Sequence, residues 1–331
     1  MAKIFVSWPG FSAEDPDTGA RLIEAGHELL LYPKLGARSA GDLSKLVSGC
    51  TAAIVSTDPF TAEVLTSNPT LRIIARVGVG TDSIDLAAAN ARRVAVSITP
   101  GMNSKTVADH TLALVLGLMR KIAHHDVEVK QGHWDRVGAH TPAEFTGKTV
   151  GVVGAGEIGR AVMRRLAGFD VHLVYFDPAV PAVVGTRRAE NLDELLRSSD
   201  VITLHAPLTP KTHHLINATT LGLMKTTAFL INTARGPLID QDALFAALRR
   251  GSIAGAALDV FTEEPPPPGS LTEVPNLLTS PHIAALSRES IRRMTISATS
   301  SVLAALRGEV PNTVINPEAL VAPGSLCPGT V

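Results

Sequence analysis

The chain has 331 residues, 45% of them hydrophobic, enough for about two domains with cores of their own; disorder is not its default state. Thirty basic residues against 31 acidic ones leave a formal charge of -1, so no charge excess advertises nucleic acid, a membrane surface or a polyanionic substrate. The two cysteines, Cys50 and Cys327, belong to no CxxC or Cys/His array, which argues for a reducing compartment and against a disulfide or a metal site.

In chain order, "MAKIFVSWPG" carries an apolar burst too short for a signal-peptide core. The longest apolar segment, around "LALVLGLM", falls short of the roughly 18 to 20 residues that span a bilayer, so a soluble, cytoplasmic protein is expected. Apolar runs predict strands at "KIFVSW", "HELLLY", "AAIVST", "RIIARVG" and "AVSIT". Val107, Leu112, Val115, Leu116, Met119 and Ile122 then fall at helical spacing and predict a bridging helix over 103–130. A second series of strands follows at "TVGVVGA", "HLVYFD", "VITLHAP", "AFLINTA", "GAALDVF" and "NLLTSP". Most runs are continuously apolar rather than alternating, as in strands buried on both faces of a parallel sheet built from βαβ units.

Ile291, Met294, Ala298, Val302, Ala305 and Leu306 predict a last helix, over about 287–307, that returns to the first domain and makes it discontinuous. "EEPPPPGS" at 263–270 reads as a stiff connector, and the Pro/Gly/Ser-rich chain after Pro317 as a loose tail. The expected organisation is an α/β protein with two doubly wound parallel-sheet domains: 1–99 plus 286–317, an inserted domain over 100–285, and a tail over 318–331.

"TVGVVGAGEIGRAVMRRLAGFDVHLVYFD" places Gly154, Gly156 and Gly159 in G-x-G-x-x-G register between a strand and a helix. Gly154 permits the tight turn, Gly156 lets backbone approach a pyrophosphate at the helix N-terminus, and Gly159 allows close helix–strand packing. The next strand ends in Asp177, 18 residues past Gly159, where a carboxylate accepts ribose hydroxyls and repels a 2′-phosphate. NAD is therefore expected over NADP. An Asp that merely opens the turn at Pro178 is the alternative, which the full strand–helix–strand context disfavours.

Three polar residues each follow a predicted strand in the same half of the chain: Arg235, Glu264 and His282. Ligands of open α/β sheets bind outside the carboxyl ends of strands, so the three could share a pocket. A hydride passing between nicotinamide and a carbonyl carbon leaves charge on oxygen, and a histidine beside it would supply the proton. Glutamate would orient that histidine and favour imidazolium, while a planar guanidinium would bind an α-keto carboxylate and steady the alkoxide. Gly236 is expected to leave room beside Arg235. Taken alone, an arginine such as Arg235 more often caps a helix or pairs with a surface carboxylate. His124–His125 and His213–His214 offer no metal-ligand spacing.

"GAGEIG", "LINTARGPLID", "AALDVFTEEP" and "TSPHIA", with "RVGVGTDSID" and "TPGMNSKTVADH" upstream, resemble the successive signatures of the D-isomer-specific 2-hydroxyacid dehydrogenase family. The resemblance implies a Rossmann NAD-binding domain inserted into a flavodoxin-like substrate-binding domain. It also implies NAD-dependent hydride transfer at C2 of a 2-keto or D-2-hydroxy acid. By that resemblance Arg235 binds carboxylate and carbonyl, His282 is the acid/base, Glu264 its partner, and Asp259 holds the nicotinamide carboxamide. Glu157, Ile158, Asp177, His205, Ala206, Pro207, Thr233, Ala234 and Arg235 surround the cofactor, and His282 adjoins it. The amides of Val79 and Gly80 hold the substrate carboxylate, and Arg76 looks like a retained phosphate-side arginine.

Relatives acting on phosphorylated acids carry basic side chains where this chain reads Ser56-Thr57-Asp58, and one arginine is thin provision for a dianion. An unphosphorylated substrate is therefore expected, with 3-phosphoglycerate dehydrogenase as the alternative enzyme. Met102 is expected as an apolar wall of the substrate site or as ordinary core filling. Formate dehydrogenases have glutamine where Glu264 stands, which argues for keto-acid chemistry. An NAD(H)-sensing transcriptional corepressor of the same fold is the non-enzyme alternative. The stretch "HHDVEVKQGHWDRVGAHTPAEFTGK" resembles the family's dimerisation arm, with Trp134 as an interface anchor or buried within its own subunit. The expected partners are a small acid and a second copy of the chain.

Overall fold

The computed structural model describes residues 1–34, 38–138 and 140–320. The chain divides into two compact units, Met1–Asn103 with the chain from Ser287 onward, and Ser104–Leu286.

In the first unit, β1 (Lys3–Val6), β2 (Glu28–Leu31), β3 (Ala52–Val55), β4 (Ile73–Arg76) and β5 (Ala95–Ser97) form a parallel sheet in the order β2-β1-β3-β4-β5. Successive side chains of a strand face opposite ways, so a strand covered on both sides must be apolar throughout. Phe5, Ala53, Val55 and Ile74 meet Leu43, Val47, Val64 and Leu65 of the helices Ala40–Val47 and Ala62–Ser67. Ile4, Ile54, Ile73 and Ala75 face the other way, onto Met294, Ala298 and Val302 of the helix Arg288–Leu306. That helix starts where Ser287 and Ser290 exchange side-chain and backbone hydrogen bonds, at 3.0 and 3.1 Å.

The second unit holds β6 (Thr149–Val153), β7 (His172–Phe176), β8 (Arg187–Arg188), β9 (Val201–Leu204), β10 (Phe229–Asn232), β11 (Gly255–Leu258) and β12 (Leu277–Thr279). All are parallel, in the order β12-β11-β10-β9-β6-β7-β8, the doubly wound pattern whose order reverses between β6 and β9. Ile202, Leu230 and Ala256 pack to one side with Leu195, Leu244 and Leu248, whereas Val201, Ile231 and Ala257 pack to the other with Leu112, Val115 and Val162.

Four local expectations change. The bridging helix is two helices, Ser104–Met119 and Ile122–Lys130, because Lys121 adopts a left-handed φ of 51° and no residue of the second helix is buried. The strand β8 was not anticipated, being two exposed arginines at a sheet edge. Between the two units the boundary falls after Asn103 rather than 99, since the Thr99 hydroxyl accepts from the Gly78 amide and the Met102 carbonyl accepts from Arg293. Finally, ordered chain continues past 317 in a 3-10 turn, Pro317–Leu320. Asn316 bonds the Val96 amide, Asn90 and the Val94 carbonyl there, and Asn90 donates to Glu318. Cys327 and the rest of the expected tail, 321–331, lie outside the described residues. Among the described residues no helix is long and apolar enough to cross a membrane.

Candidate active site

The turn after β6 is built around its glycines. Gly154 has a φ of +94°, and a Cβ on it would lie 2.6 Å from the His205 carbonyl carbon. Gly159, in the first turn of the helix Glu157–Leu166, would place a Cβ 2.0 Å from the Gly154 carbonyl oxygen. Gly156 is the helix N-cap, and a Cβ there would meet nothing within 4 Å. The result is open space before the N-terminus of a ten-residue helix, whose unpaired amides and dipole favour a pyrophosphate. These residues fit a dinucleotide. Glu157 accepts a hydrogen bond from Ser104 at 3.2 Å, and Ile158 packs against the core beneath.

Asp177 follows β7 and folds its carboxylate onto the turn, accepting from the amides of Ala155 at 2.8 Å, Ala179 at 2.8 Å and Val180 at 3.1 Å. A carboxylate has about four acceptor positions, so capacity for a ribose hydroxyl remains. Arg188 from β8 donates to the Asp177 carbonyl at 2.9 Å, a basic group that sequence order did not place here. His205 bonds Thr203 through Nε2 at 2.9 Å, while its buried Nδ1 has no hydrogen-bond partner among the described residues. Burial pulls its pKa down to about 3, so the ring is neutral. Ala206 packs on the core and Pro207 is exposed.

β10 runs apolar to Asn232, whose buried side chain shapes the turn that follows. It accepts from the Ala234 amide at 3.0 Å and donates to the Arg235 carbonyl at 2.8 Å. Thr233 bonds Thr111 at 3.0 Å. Gly236 does not leave room for a ligand, as its missing side chain suggested. A Cβ there would sit 2.0 Å from the Phe261 carbonyl group, so the space is filled by the backbone after β11.

That backbone carries Glu264. Its Oε1 accepts from the Phe261 amide at 3.0 Å and its Oε2 meets His282 Nδ1 at 2.6 Å. Burial opposes ionisation of Glu264, but the hydrogen bond and charge of His282, the Phe261 amide and the nearby Arg235 guanidinium outweigh it and hold the carboxyl below its ordinary range. Arg235, Glu264 and His282 thus converge at the carboxyl edge of β10, β11 and β12. The histidine and the glutamate keep 37% and 36% of their side chains exposed, so the pair is reachable from solvent.

His282 has a left-handed φ of 52°, and the groups around it hold the chain there. Its amide donates to the Asp259 carbonyl at 2.8 Å. The Asp259 side chain, in a residue 1% exposed, accepts from the amides of Ile283 at 2.9 Å and Ala284 at 2.8 Å and from the Ser280 hydroxyl at 2.6 Å. His110 Nε2 closes the network on Ser280 at 2.9 Å. Burial raises the Asp259 pKa, yet these donors, His110 and Ser280 foremost, bring it below the ordinary value. Asn232, Ser280, His110 and Arg188 escaped the sequence reading. Asn232 and Ser280 carried a signal, a polar residue closing an apolar run just before a candidate residue; His110 and Arg188 carried none.

The remaining candidates lie in the first unit. Arg76 ends β4 and turns its guanidinium back over Gly78 to donate to the Val77 carbonyl at 2.9 Å. Val79 is exposed and Gly80 partly so, while Met102 packs against the core of that unit. Among the described residues no three His, Cys, Asp or Glu side chains are grouped to hold a metal ion.

The sequence profile of the D-isomer specific 2-hydroxyacid dehydrogenase NAD-binding domain matches residues 112–284. The chain belongs to the D-isomer-specific 2-hydroxyacid dehydrogenase family. It is 43% identical to a glyoxylate reductase of Thermofilum pendens over 272 residues, 80% of each chain. A D-3-phosphoglycerate dehydrogenase of Methanocaldococcus jannaschii is 37% identical over 83% of this chain but only 53% of its own length. Among solved structures, the TT0316 protein of Thermus thermophilus superposes with a TM-score of 0.87 at 36% identity, over 95% of this chain and 99% of that one. As a member of the 2-hydroxyacid dehydrogenases the protein is an oxidoreductase that moves a hydride between NAD and a 2-hydroxy or 2-keto acid. Its fold is the family's Rossmann domain with a second parallel-sheet domain.

Proposed function

We propose that this dehydrogenase reduces small, unphosphorylated 2-keto acids to D-2-hydroxy acids, with His282 as the acid/base and Arg235 as the substrate clamp. The carrying observation is the 2.6 Å bond between His282 Nδ1 and Glu264 at the edge where Arg235 also emerges. With Nδ1 engaged by the carboxylate, the transferable proton sits on Nε2. NADH, when bound, supplies the hydride to C2. The Arg235 fork binds the substrate carboxylate and the carbonyl oxygen, and His282 Nε2 gives its proton to that oxygen as charge develops on it. In the reverse direction the neutral ring accepts the hydroxyl proton. Asp259 acts by fixing the 282–284 backbone, and this deep engagement leaves at most one acceptor position for a carboxamide.

The test is NADH oxidation with glyoxylate, hydroxypyruvate, pyruvate, phenylpyruvate and 3-phosphohydroxypyruvate. Turnover of the unphosphorylated acids is expected. Preference for the phosphorylated one would make the chain a phosphoglycerate dehydrogenase, and no turnover at all would favour an NAD(H)-sensing corepressor.

NAD preference rests on Asp177. Asp177→Ala removes the charge facing a 2′-phosphate and leaves Arg188 nearby as a partner for it. The kcat/KM ratio of NADPH to NADH should rise about 10- to 100-fold, the scale of one charge-assisted hydrogen bond. An unchanged ratio removes Asp177 from cofactor selection.

A homodimer is supported by the run of exposed apolar side chains Ile122, Val127, Val129, Trp134 and Val137, with Trp134 75% exposed rather than buried in its own subunit. Sedimentation equilibrium should give twice the chain mass, and a monomer at micromolar concentration would remove this reading. A cytoplasmic setting suits Cys50, a buried free thiol whose pKa burial pushes up.

A further inference from the structure

The glycine turn after β6 presents the N-terminus of the helix Glu157–Leu166 to a cofactor diphosphate, yet that helix opens with an acidic side chain of its own. Glu157 is exposed and directly follows the N-cap Gly156. A carboxylate in the first turn is drawn to the same unpaired amides and dipole that draw a phosphate. This one is also held in place. Ser104, buried at the start of the helix Ser104–Met119, donates to Glu157 Oε2 at 3.2 Å, and both residues belong to the Ser104–Leu286 unit. The other charged groups of the turn are engaged elsewhere. Arg160 folds its guanidinium back to the Ala155 carbonyl at 2.9 Å, and the Asp177 carboxylate is taken up by the amides of Ala155, Ala179 and Val180.

We propose that Glu157 is a built-in competing anion that weakens the hold on the cofactor diphosphate and speeds release of the spent dinucleotide. In the free protein the carboxylate complements the positive end of the helix. When a diphosphate arrives, the helix end must serve two anionic groups, and the two repel each other. The effect falls on affinity alone. NAD and NADH carry the same diphosphate, so the charge opposes both equally and leaves the hydride equilibrium where it was. Its role differs from that of Asp177, which faces the ribose and tells a 2′-hydroxyl from a 2′-phosphate. Glu157 acts on the group that NADH and NADPH share, so it sets how tightly a dinucleotide binds and not which one.

Glu157→Gln keeps the shape and can keep the Ser104 hydrogen bond while removing the charge. Fluorescence titration should show NADH and NADPH each binding about 3- to 10-fold more tightly, with the ratio of their Kd values unchanged. Stopped-flow displacement should show NAD leaving more slowly by a similar factor. Glu157→Lys inverts the charge and should tighten both cofactors further, by about 10- to 100-fold. This second variant serves if Glu157→Gln does not fold, as judged by thermal unfolding. In 1 M salt, where screening reaches within about 3 Å, most of the gain should vanish. Unchanged or weaker NADH binding in a folded variant overturns the assignment, and so does a gain that persists undiminished in 1 M salt, which would make it one of shape. Either result leaves the proposed function intact, because that reading rests on Arg235, Glu264 and His282.

Discussion

Arg235→Ala should lower kcat/KM for glyoxylate at least about 1,000-fold while NADH binding, followed by fluorescence, changes little. The side chain is asked to do two things, and each has a known scale. A charge-assisted hydrogen bond to a carboxylate contributes about 1.5–3 kcal/mol, and an oxyanion donor about 2.7–4 kcal/mol. Together they exceed the roughly 4 kcal/mol that a factor of 1,000 represents. The fold should survive, because the turn is shaped by Asn232 bonding the Arg235 backbone and by Gly236 against Phe261, neither of which uses the guanidinium. Arg235→Lys should recover only part of the activity, since an ammonium keeps the charge and loses the planar fork. Normal turnover by the alanine variant would discard the clamp.

The second large effect belongs to the histidine–glutamate pair. His282→Asn should cost about 100- to 10,000-fold in kcat, the range of a lost general acid, and asparagine tolerates the left-handed backbone that this position demands. Activity within tenfold of the parent would exclude His282 as proton donor. Glu264→Gln tests the pair differently. With the Glu264 pKa depressed from 4.5, its ionised form persists in the folded protein below that value, and its contribution is lost only as pH falls through the lowered pKa. Near neutrality Glu264 therefore carries constant charge. A carboxylate holds the ring by a charge-assisted hydrogen bond and an amide does not, so Glu264→Gln should lower reductive kcat about 10- to 100-fold near neutral pH. Unchanged kcat in that variant would make Glu264 a purely steric support.

Much of the fold was legible because burial on both faces leaves one signature. The apolar run in "AAIVST" becomes β3 and the one in "AFLINTA" becomes β10, as residues with no solvent face must be apolar at every position. The return of the helix Arg288–Leu306 was equally readable, since its stripe of Ile291, Met294, Ala298 and Val302 needed a surface to cover. Periodicity failed at Lys121, where one left-handed residue ends a helix without interrupting the hydrophobic pattern before it.

For the site, chemistry at strand ends was visible and its scaffolding was not. Arg235, Glu264 and His282 each follow an apolar run, whereas His110 reaches Ser280 across 170 residues of sequence and Arg188 reaches Asp177 only because a two-residue strand adds to the sheet edge. Contacts of that kind depend on tertiary register, which no local window contains. Gly236 teaches the same lesson in reverse: its smallness was read as space for a substrate, but the neighbouring main chain fills it.

The first unit is built from segments on either side of the second in sequence, and this orders events during synthesis. Ile4, Ile54, Ile73 and Ala75 are translated before the second unit, but Met294, Ala298 and Val302, which shield them, only after it. The Ser104–Leu286 unit, contiguous in sequence, can complete its own core first. Until then the nascent amino-terminal sheet carries a sticky flank of the sort that chaperones shelter, and a product terminated at 286 would retain that flank permanently.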